Sequence, residues 1–216
     1  MNEKKQVDKT HYEFYRYMSK GRWASLWHQL DEVIQLKPSN VLEVGPGPGA
    51  FKQMAILFGL AVETIDLDPD LKPDHVGSAT ALPFADASYD VVCAFQMLEH
   101  LPYEITLQAF AEMVRVSRRH VVISLPDARP VWQYRFHVPK FGTHALLFPR
   151  PIMKQPEHVF DGEHYWEINK QGYELARVTN DFCRVCPLVR TYRVFENPYH
   201  RLFVFKCQGK EKGSGY

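Results

Sequence analysis

The sequence has little of what builds a disulfide scaffold, a membrane span or a polyanion-binding surface. Four cysteines in 216 residues are too few for a disulfide framework. The one C-x-x-C pair, Cys183 and Cys186, lacks the second pair or the suitably placed histidines that a zinc site requires. Read as part of a strand, the two thiols point to opposite faces and are expected to pack independently. No apolar run approaches the length of a membrane span, and Met1 to Thr10 is polar, without the apolar segment of a secretory signal. A cytoplasmic protein without a span is expected. A formal charge of +1 gives no bulk attraction to nucleic acid, so none is expected as a partner. No internal repeat or low-complexity segment appears.

What the chain does have is a glycine segment of high information. Val41 to Val44 is an apolar strand with one acid in it, and it breaks into Gly45, Gly47 and Gly49 before a helical stretch from Ala50. Glycine lets backbone approach a ligand where a Cβ would collide, and the next helix presents unpaired N–H groups at its start, so this is a nucleotide-type cofactor site. Gly45, Gly47 and Ala50 also satisfy the G-x-G-x-x-A form of the dinucleotide fingerprint. Glu43 helps to separate the possibilities. A carboxylate at the end of the strand repels a pyrophosphate and attracts the ammonium of a cofactor that carries an amino acid.

Strand and helix then alternate, which implies an α/β domain with a parallel sheet. Trp23, Leu26, Trp27, Leu30 and Ile34 recur at helical spacing, in a helix that ends before Pro38. After Val41–Val44 come a helix from about Ala50 to Phe58, a strand from Ala61 to Ile65 ending in Asp66, a short strand near His75, and a buried strand from Tyr89 to Phe95. Leu107, Phe110, Ala111 and Val114 mark the inward stripe of another helix, followed by an apolar strand from His120 to Leu125. From Pro126 to Pro156 neither period is sustained, and the reading is an irregular insertion over the sheet's carboxyl edge, a functional loop or lid. A helix over 170–179, a long strand from Phe182 to Phe195 and a strand over 201–206 complete the pattern. Pro187 cannot donate to a ladder, which puts its strand at an edge or makes it bulged. The polar tail Lys210 to Tyr216 is expected to be mobile. The whole reads as one domain, 1–216, with an N-terminal helical cap (about 1–37) and the insertion (about 126–166).

Four segments in order, VLEVGPGPGAF, TIDLDP, ATALPFADASYDVVCAFQMLEHLP and VVISLP, resemble the class I, S-adenosylmethionine-dependent methyltransferases, especially the small bacterial, type 11-like kind. The resemblance covers Ser39 to Pro126. It implies a Rossmann-like, doubly wound sheet of seven strands, mostly parallel, with a C-terminal antiparallel hairpin that leaves the sixth strand at an edge. It implies S-adenosyl-L-methionine as cofactor and a small-molecule acceptor, with Glu43, Gly45, Gly47 and Gly49 holding the methionine part. Asp66 falls where the family's acid accepts both ribose hydroxyls, which two carboxylate oxygens can do at once. Gly77-Ser78-Ala79 falls where many relatives carry an acid for the adenine amino group; here the Ser78 hydroxyl or the Ala79 backbone stands in its place. Gln96 is expected to line the methionine pocket, while Leu82 and Phe84 read as core.

The pattern E-x-x-E-H after the fourth strand resembles the metal site of quinone O-methyltransferases and plant small-RNA methyltransferases, but Gln96 replaces its first acid, so no metal is expected. Glu99 then reads as a helix-start acid and His100 as a pocket histidine and candidate general base, because its unperturbed titration lies near neutrality. His158 and His164 are alternatives, in a segment where polar groups alternate with aromatics. The leader aromatics Tyr12, Phe14, Tyr15 and Tyr17 suit either packing on the core or cover for a cation. Two other readings stay open: a nicotinamide oxidoreductase, and a cofactor-binding partner without catalysis. Oligomeric state and the atom that is methylated are not legible in the sequence.

Overall fold

A computed structural model describes residues 13–151 and 154–207; Tyr12, the opening Met1 to Thr10 and the tail Lys210 to Tyr216 lie outside them. A single turn α1 (Phe14–Tyr17) leads to α2 (Lys20–Gln35), whose start is capped by Ser19, the side chain accepting from the Arg22 amide at 3.1 Å. There follow β1 (Val41–Val44), α3 (Ala50–Leu57), β2 (Val62–Asp66), β3 (His75–Val76), β4 (Tyr89–Phe95), α4 (Tyr103–Val116) and β5 (Ser117–Pro126). The rest is β6 (Val131–Val138), β7 (Gly142–Pro149), α5 (Leu175–Cys183), β8 (Leu188–Arg193) and β9 (His200–Lys206).

Seven strands form one sheet in the order β3-β2-β1-β4-β5-β9-β8. The first five pair in parallel, and β9 runs antiparallel to both β5 and β8. This is the doubly wound sheet with a terminal hairpin that the sequence implied. β8, the sixth strand of this sheet, lies at its edge directly after Pro187, and its register shifts between Leu188 and Arg190. Period-2 alternation divides the core between two faces. Leu42 and Val44 join Phe110 and Met113 of α4 and Phe182 of α5 on one face. Val41 joins Leu26, Leu30 and Val33 of α2 and Phe51 and Ala55 of α3 on the other. Glu43 shares the parity of Val41 and therefore faces the layer of α2 and α3.

Four local expectations are corrected. In α2 the buried stripe is Leu26, Leu30 and Val33, whereas Trp23, Trp27 and Ile34 are exposed, because a rotation of about 100° per residue places them on the flank. In α4 Phe110 is buried and Leu107 and Val114 pack partly buried against the core as expected, but Ala111 is exposed and the other buried inward positions include Thr106, Ala109 and Met113. Phe182 belongs to a helix: it follows Val178 by one turn, both fully buried, so α5 runs on to Cys183 and the strand starts only after Pro187. Cys183 is thus an exposed helix-end residue, and the buried Cys186 lies with its sulfur 3.7 Å from that of Cys207. The segment after β5, expected to be irregular, contains the two-stranded antiparallel ribbon of β6 and β7. Its alternation escaped notice because one of its faces is aromatic while both stand largely exposed.

The chain leaves β5 for this ribbon through a buried ion cluster. Asp127 Oδ2 accepts from Arg201 Nε at 2.8 Å and lies 3.7 Å from Arg193 Nε, while Oδ1 accepts from Asn169 Nδ2 at 2.8 Å and from the Arg129 amide at 3.1 Å. The Asp127 side chain is wholly buried, with every approach made by a donor. Removing it leaves two inward-facing guanidinium groups uncompensated, and breaking a buried pair in this way costs about 3–5 kcal/mol. Asp127→Ala is therefore expected to lower the urea midpoint sharply, whereas Asp86→Ala, on an exposed partner of Arg115, should shift it by less than about 1 kcal/mol.

Candidate active site

Strand order reverses between β1 and β4, and a crevice opens at their carboxyl ends, where ligands bind in open α/β sheets. It is a cavity of about 660 Å³ bounded by the β1–α3 loop, the end of β2, the β4 end, the segment 163–165 and the start of β9. Gly45, at φ +68°, donates its N–H to Ile65 at 2.9 Å. A Cβ there would fall inside the Met97 side chain, so only glycine lets β1 turn so close to the wall after β4. Gly49 takes the left-handed conformation directly before α3, with open space where its Cβ would be.

Gly45, Gly47, Asp66, Ala79, Gln96 and His100 all line the cavity. Asp66 ends β2 and accepts from the Asp68 amide at 2.9 Å. Gln96 follows β4 at φ +53°, a costly conformation for a side chain with a Cβ, with its amide nitrogen 3.2 Å from Ser124 Oγ. The Ser78 hydroxyl lies 2.7 Å from Thr80 Oγ1, and the wall here is formed by Gly77, Ala79 and Thr80. Leu82 is buried and Phe84 packs beside it in the core.

Glu43 looks into a side pocket of about 40 Å³ that shares Tyr17, Arg22, Gln96 and His200 with the main cavity. It is buried, and its Oε2 has no hydrogen-bond partner among the described residues. Burial pushes its carboxyl up to about 8, with Lys52 pulling in the opposite direction. Tyr17 is the one described leader aromatic on the cavity, and the cation over its ring is Arg22, at 4.1 Å; Phe14 and Tyr15 are exposed. Arg22 and His200 are site residues that sequence reasoning missed. Arg22 lies on a polar flank of a helix far from the glycine segment, and His200 opens the last strand. Burial beside Arg22 holds His200 down to about 3, so it is neutral.

On the opposite side His100 Nδ1 lies 2.9 Å from the Glu163 carbonyl, which as its acceptor leaves the lone pair on Nε2. His164 meets His100 edge to face at 5.1 Å between ring centres and has Nδ1 3.1 Å from Glu167 Oε1. Glu99 is fully buried in a single 3-10 turn, with neither carboxylate oxygen bonded among the described residues, and burial raises it to about 7. Ligand-capable atoms of Glu99, His100 and His164 lie within 4.8 Å of one another. Two imidazoles and a carboxylate, each imidazole held by an acceptor on its other nitrogen, form a donor set suited to zinc or a similar ion. The sequence motif ended at His100; His164 comes from a distant loop. His158 instead turns its Nε2 to the His164 carbonyl at 2.9 Å, outside the cavity wall.

Residues 42–125 match the family model for a methyltransferase domain. The matched residues run from β1 to β5 and include the glycine loop and the end of β4. Among curated relatives, an uncharacterized methyltransferase of Mycobacterium sp. (strain JLS) is 33% identical over 135 residues, covering 57% of this chain and 49% of the relative. The chain thus spans about half the length of the curated relatives it matches. Among solved structures, a magnesium protoporphyrin IX methyltransferase from Synechocystis PCC 6803 with bound S-adenosylhomocysteine has a TM-score of 0.59 at 13% identity, over 95% of this chain and 90% of that one. A Burkholderia thailandensis 1,6-didemethyltoxoflavin-N1-methyltransferase gives 0.59 at 12% identity, over 91% and 81%. At such identities the likeness is one of fold, and it extends beyond the matched residues to nearly the whole chain.

The loop geometry separates these two glycines by cause. Gly45→Ala meets both a left-handed backbone and Met97, and is expected to cost about 2–3 kcal/mol in urea unfolding and to abolish ligand binding in the crevice. Gly49→Ala meets only the backbone cost, about 1–2 kcal/mol, and should retain binding.

Proposed function

We infer that the protein transfers a methyl group from S-adenosyl-L-methionine to a small-molecule acceptor. The observation that carries this reading is the buried Glu43 Oε2, without a bond among the described residues, near the end of a glycine-turned strand and in a small pocket that Arg22 also lines. Carboxylate and guanidinium lining one small pocket match the ammonium and carboxylate of an amino-acid end, and the carboxylate repels a pyrophosphate. Asp66 takes the ribose hydroxyls, and Ala79 and Thr80 wall the adenine. When bound, the cofactor supplies a methyl already activated by positively charged sulfur. The chain then has to orient the acceptor, which is worth on the order of 7–11 kcal/mol, while a general base adds a factor of about 10² to 10⁴. The didemethyltoxoflavin neighbour supports a small acceptor by analogy of fold alone.

His100 is assigned as the base, taking a proton from an acceptor hydroxyl on Nε2 while the Glu163 carbonyl holds its ring. A second reading rests on Glu99: with His100 and His164 it would hold a divalent ion, which would supply a Lewis acid to the acceptor oxygen, and the acceptor's proton would leave to solvent. The N-terminal helices act as a cap on the amino-acid end, and the segment 163–165 as the acceptor wall.

Calorimetry with S-adenosylhomocysteine tests the cofactor reading. Because Glu43 is protonated below about 8, binding the ligand's ammonium releases a proton, and affinity should rise between pH 6 and 7.5. Glu43→Gln should weaken binding at pH 7.5 by about tenfold or more and flatten that dependence. Binding of NADH instead would overturn the reading. With an acceptor found by screening, His100→Ala is expected to lower kcat by about 10²-fold or more. Zinc uptake by the wild type that is lost in Glu99→Gln, with activity that follows the metal, would select the second reading.

A further inference from the structure

The ribbon of β6 and β7 has two unlike faces. Cross-strand partners Trp132 and Phe148, Tyr134 and Leu146, and Phe136 and His144 share one face. The other face carries Gln133 and Arg135 opposite Leu147 and Ala145, and it is this mixed face that grips the body of the protein. Gln133 Nε2 donates to the Phe195 carbonyl at 2.5 Å, and Arg135 pairs with Glu196 at 2.6 Å while lying over the Phe195 ring. An antiparallel ribbon on a soluble domain normally turns its apolar face inward. Here the order is reversed: Trp132, Tyr134, Phe136, Leu146 and Phe148 are each between 44% and 52% exposed, and Phe141 at the turn is 77% exposed. So large a contiguous apolar face marks an interaction surface.

Charge identifies the partner. Residues 128–156 contain Arg129, Arg135, Lys140, Arg150 and Lys154 and no Asp or Glu, within a chain whose total charge is only +1. Arg135 is spent on Glu196; Arg129, Lys140, Arg150 and Lys154 are exposed around the ribbon's base and turn. Tryptophan and tyrosine with an apolar body and a polar tip, beside lysine and arginine, suit the boundary between hydrocarbon and anionic headgroups. A second copy of the chain fits poorly, because pairing these faces would bring their basic groups together.

We propose that the outward face of the β6–β7 ribbon docks this protein on an anionic lipid bilayer. The aromatic side chains enter the interface, and Lys140 and Arg150 reach the headgroup phosphates. The ribbon springs from the carboxyl end of β5 and rests on the turn that leads to Tyr199 and His200, two residues of the cavity wall, so docking brings the mouth of the crevice to the membrane. The docking does not depend on methyl transfer.

Co-sedimentation of the full chain with vesicles tests it, using phosphatidylcholine alone and phosphatidylcholine mixed with phosphatidylserine. Binding is expected to the mixed vesicles, to be lost at high salt, and to fall about tenfold or more in Lys140→Glu/Arg150→Glu and in Trp132→Ser/Phe148→Ser, with unfolding midpoints unchanged. No binding to anionic vesicles, or equal binding by these variants, would overturn the proposal. So would equal binding to neutral vesicles, or a dimer in solution that Trp132→Ser/Phe148→Ser dissociates.

Discussion

Two carboxylates held out of water govern the crevice. Glu43 on the central strand and Glu99 after β4 are both fully enclosed, and for each the loss of hydration outweighs the nearby cations. An isolated buried charge is so costly that such a group either takes a proton or meets a partner. Here three of the four carboxylate oxygens have no hydrogen bond among the described residues; Glu99 lines the main cavity and Glu43 the side pocket that shares wall residues with it. The fold therefore holds acceptors ready for positive charge at two places, one on the side of α2 and one beside His100 and His164. The surrounding sheet must be rigid enough to keep them there, and the two continuous apolar layers on its faces provide that rigidity.

The second half of the chain completes what the first begins. β9 enters between β5 and β8, and its first residue, His200, is delivered to the crevice by the turn that also receives the ribbon. Asp127 ties this region together, because the strand exit, Arg193 of β8 and Arg201 of β9 converge on one buried carboxylate. The wall that His200 provides thus depends on ion pairing at Asp127, about 80 residues beyond the glycine loop.

Much of the first half was legible because its signals are local. Val41–Val44 and Tyr89–Phe95 are strands with the boundaries expected, since an apolar run flanked by turn residues has few alternatives. Pro187 marked the edge strand through a missing donor. Errors arose where a residue's partner is distant. Trp23 and Trp27 fit a helical period yet lie outside, because burial depends on which flank the sheet covers. Phe182 reads as strand until Val178 is seen one turn below it in the core. The ribbon was missed because its aromatic face turns outward, against the usual sense of the pattern.

The sequence by itself determined a parallel α/β sheet, the glycine turn, the positions of Glu43 and Asp66 on their strands and those of Gln96 and His100 after β4, because each follows from chain-local geometry of a β-α-β unit; the resemblance supplied the doubly wound order. Only the tertiary structure decided that Arg22 and Glu43 line one small pocket, that His164 joins Glu99 and His100, and that the Ser78 hydroxyl meets Thr80. Those meetings depend on how separate layers and loops pack, and side chains dozens of residues apart carry no mark of one another until that packing is made.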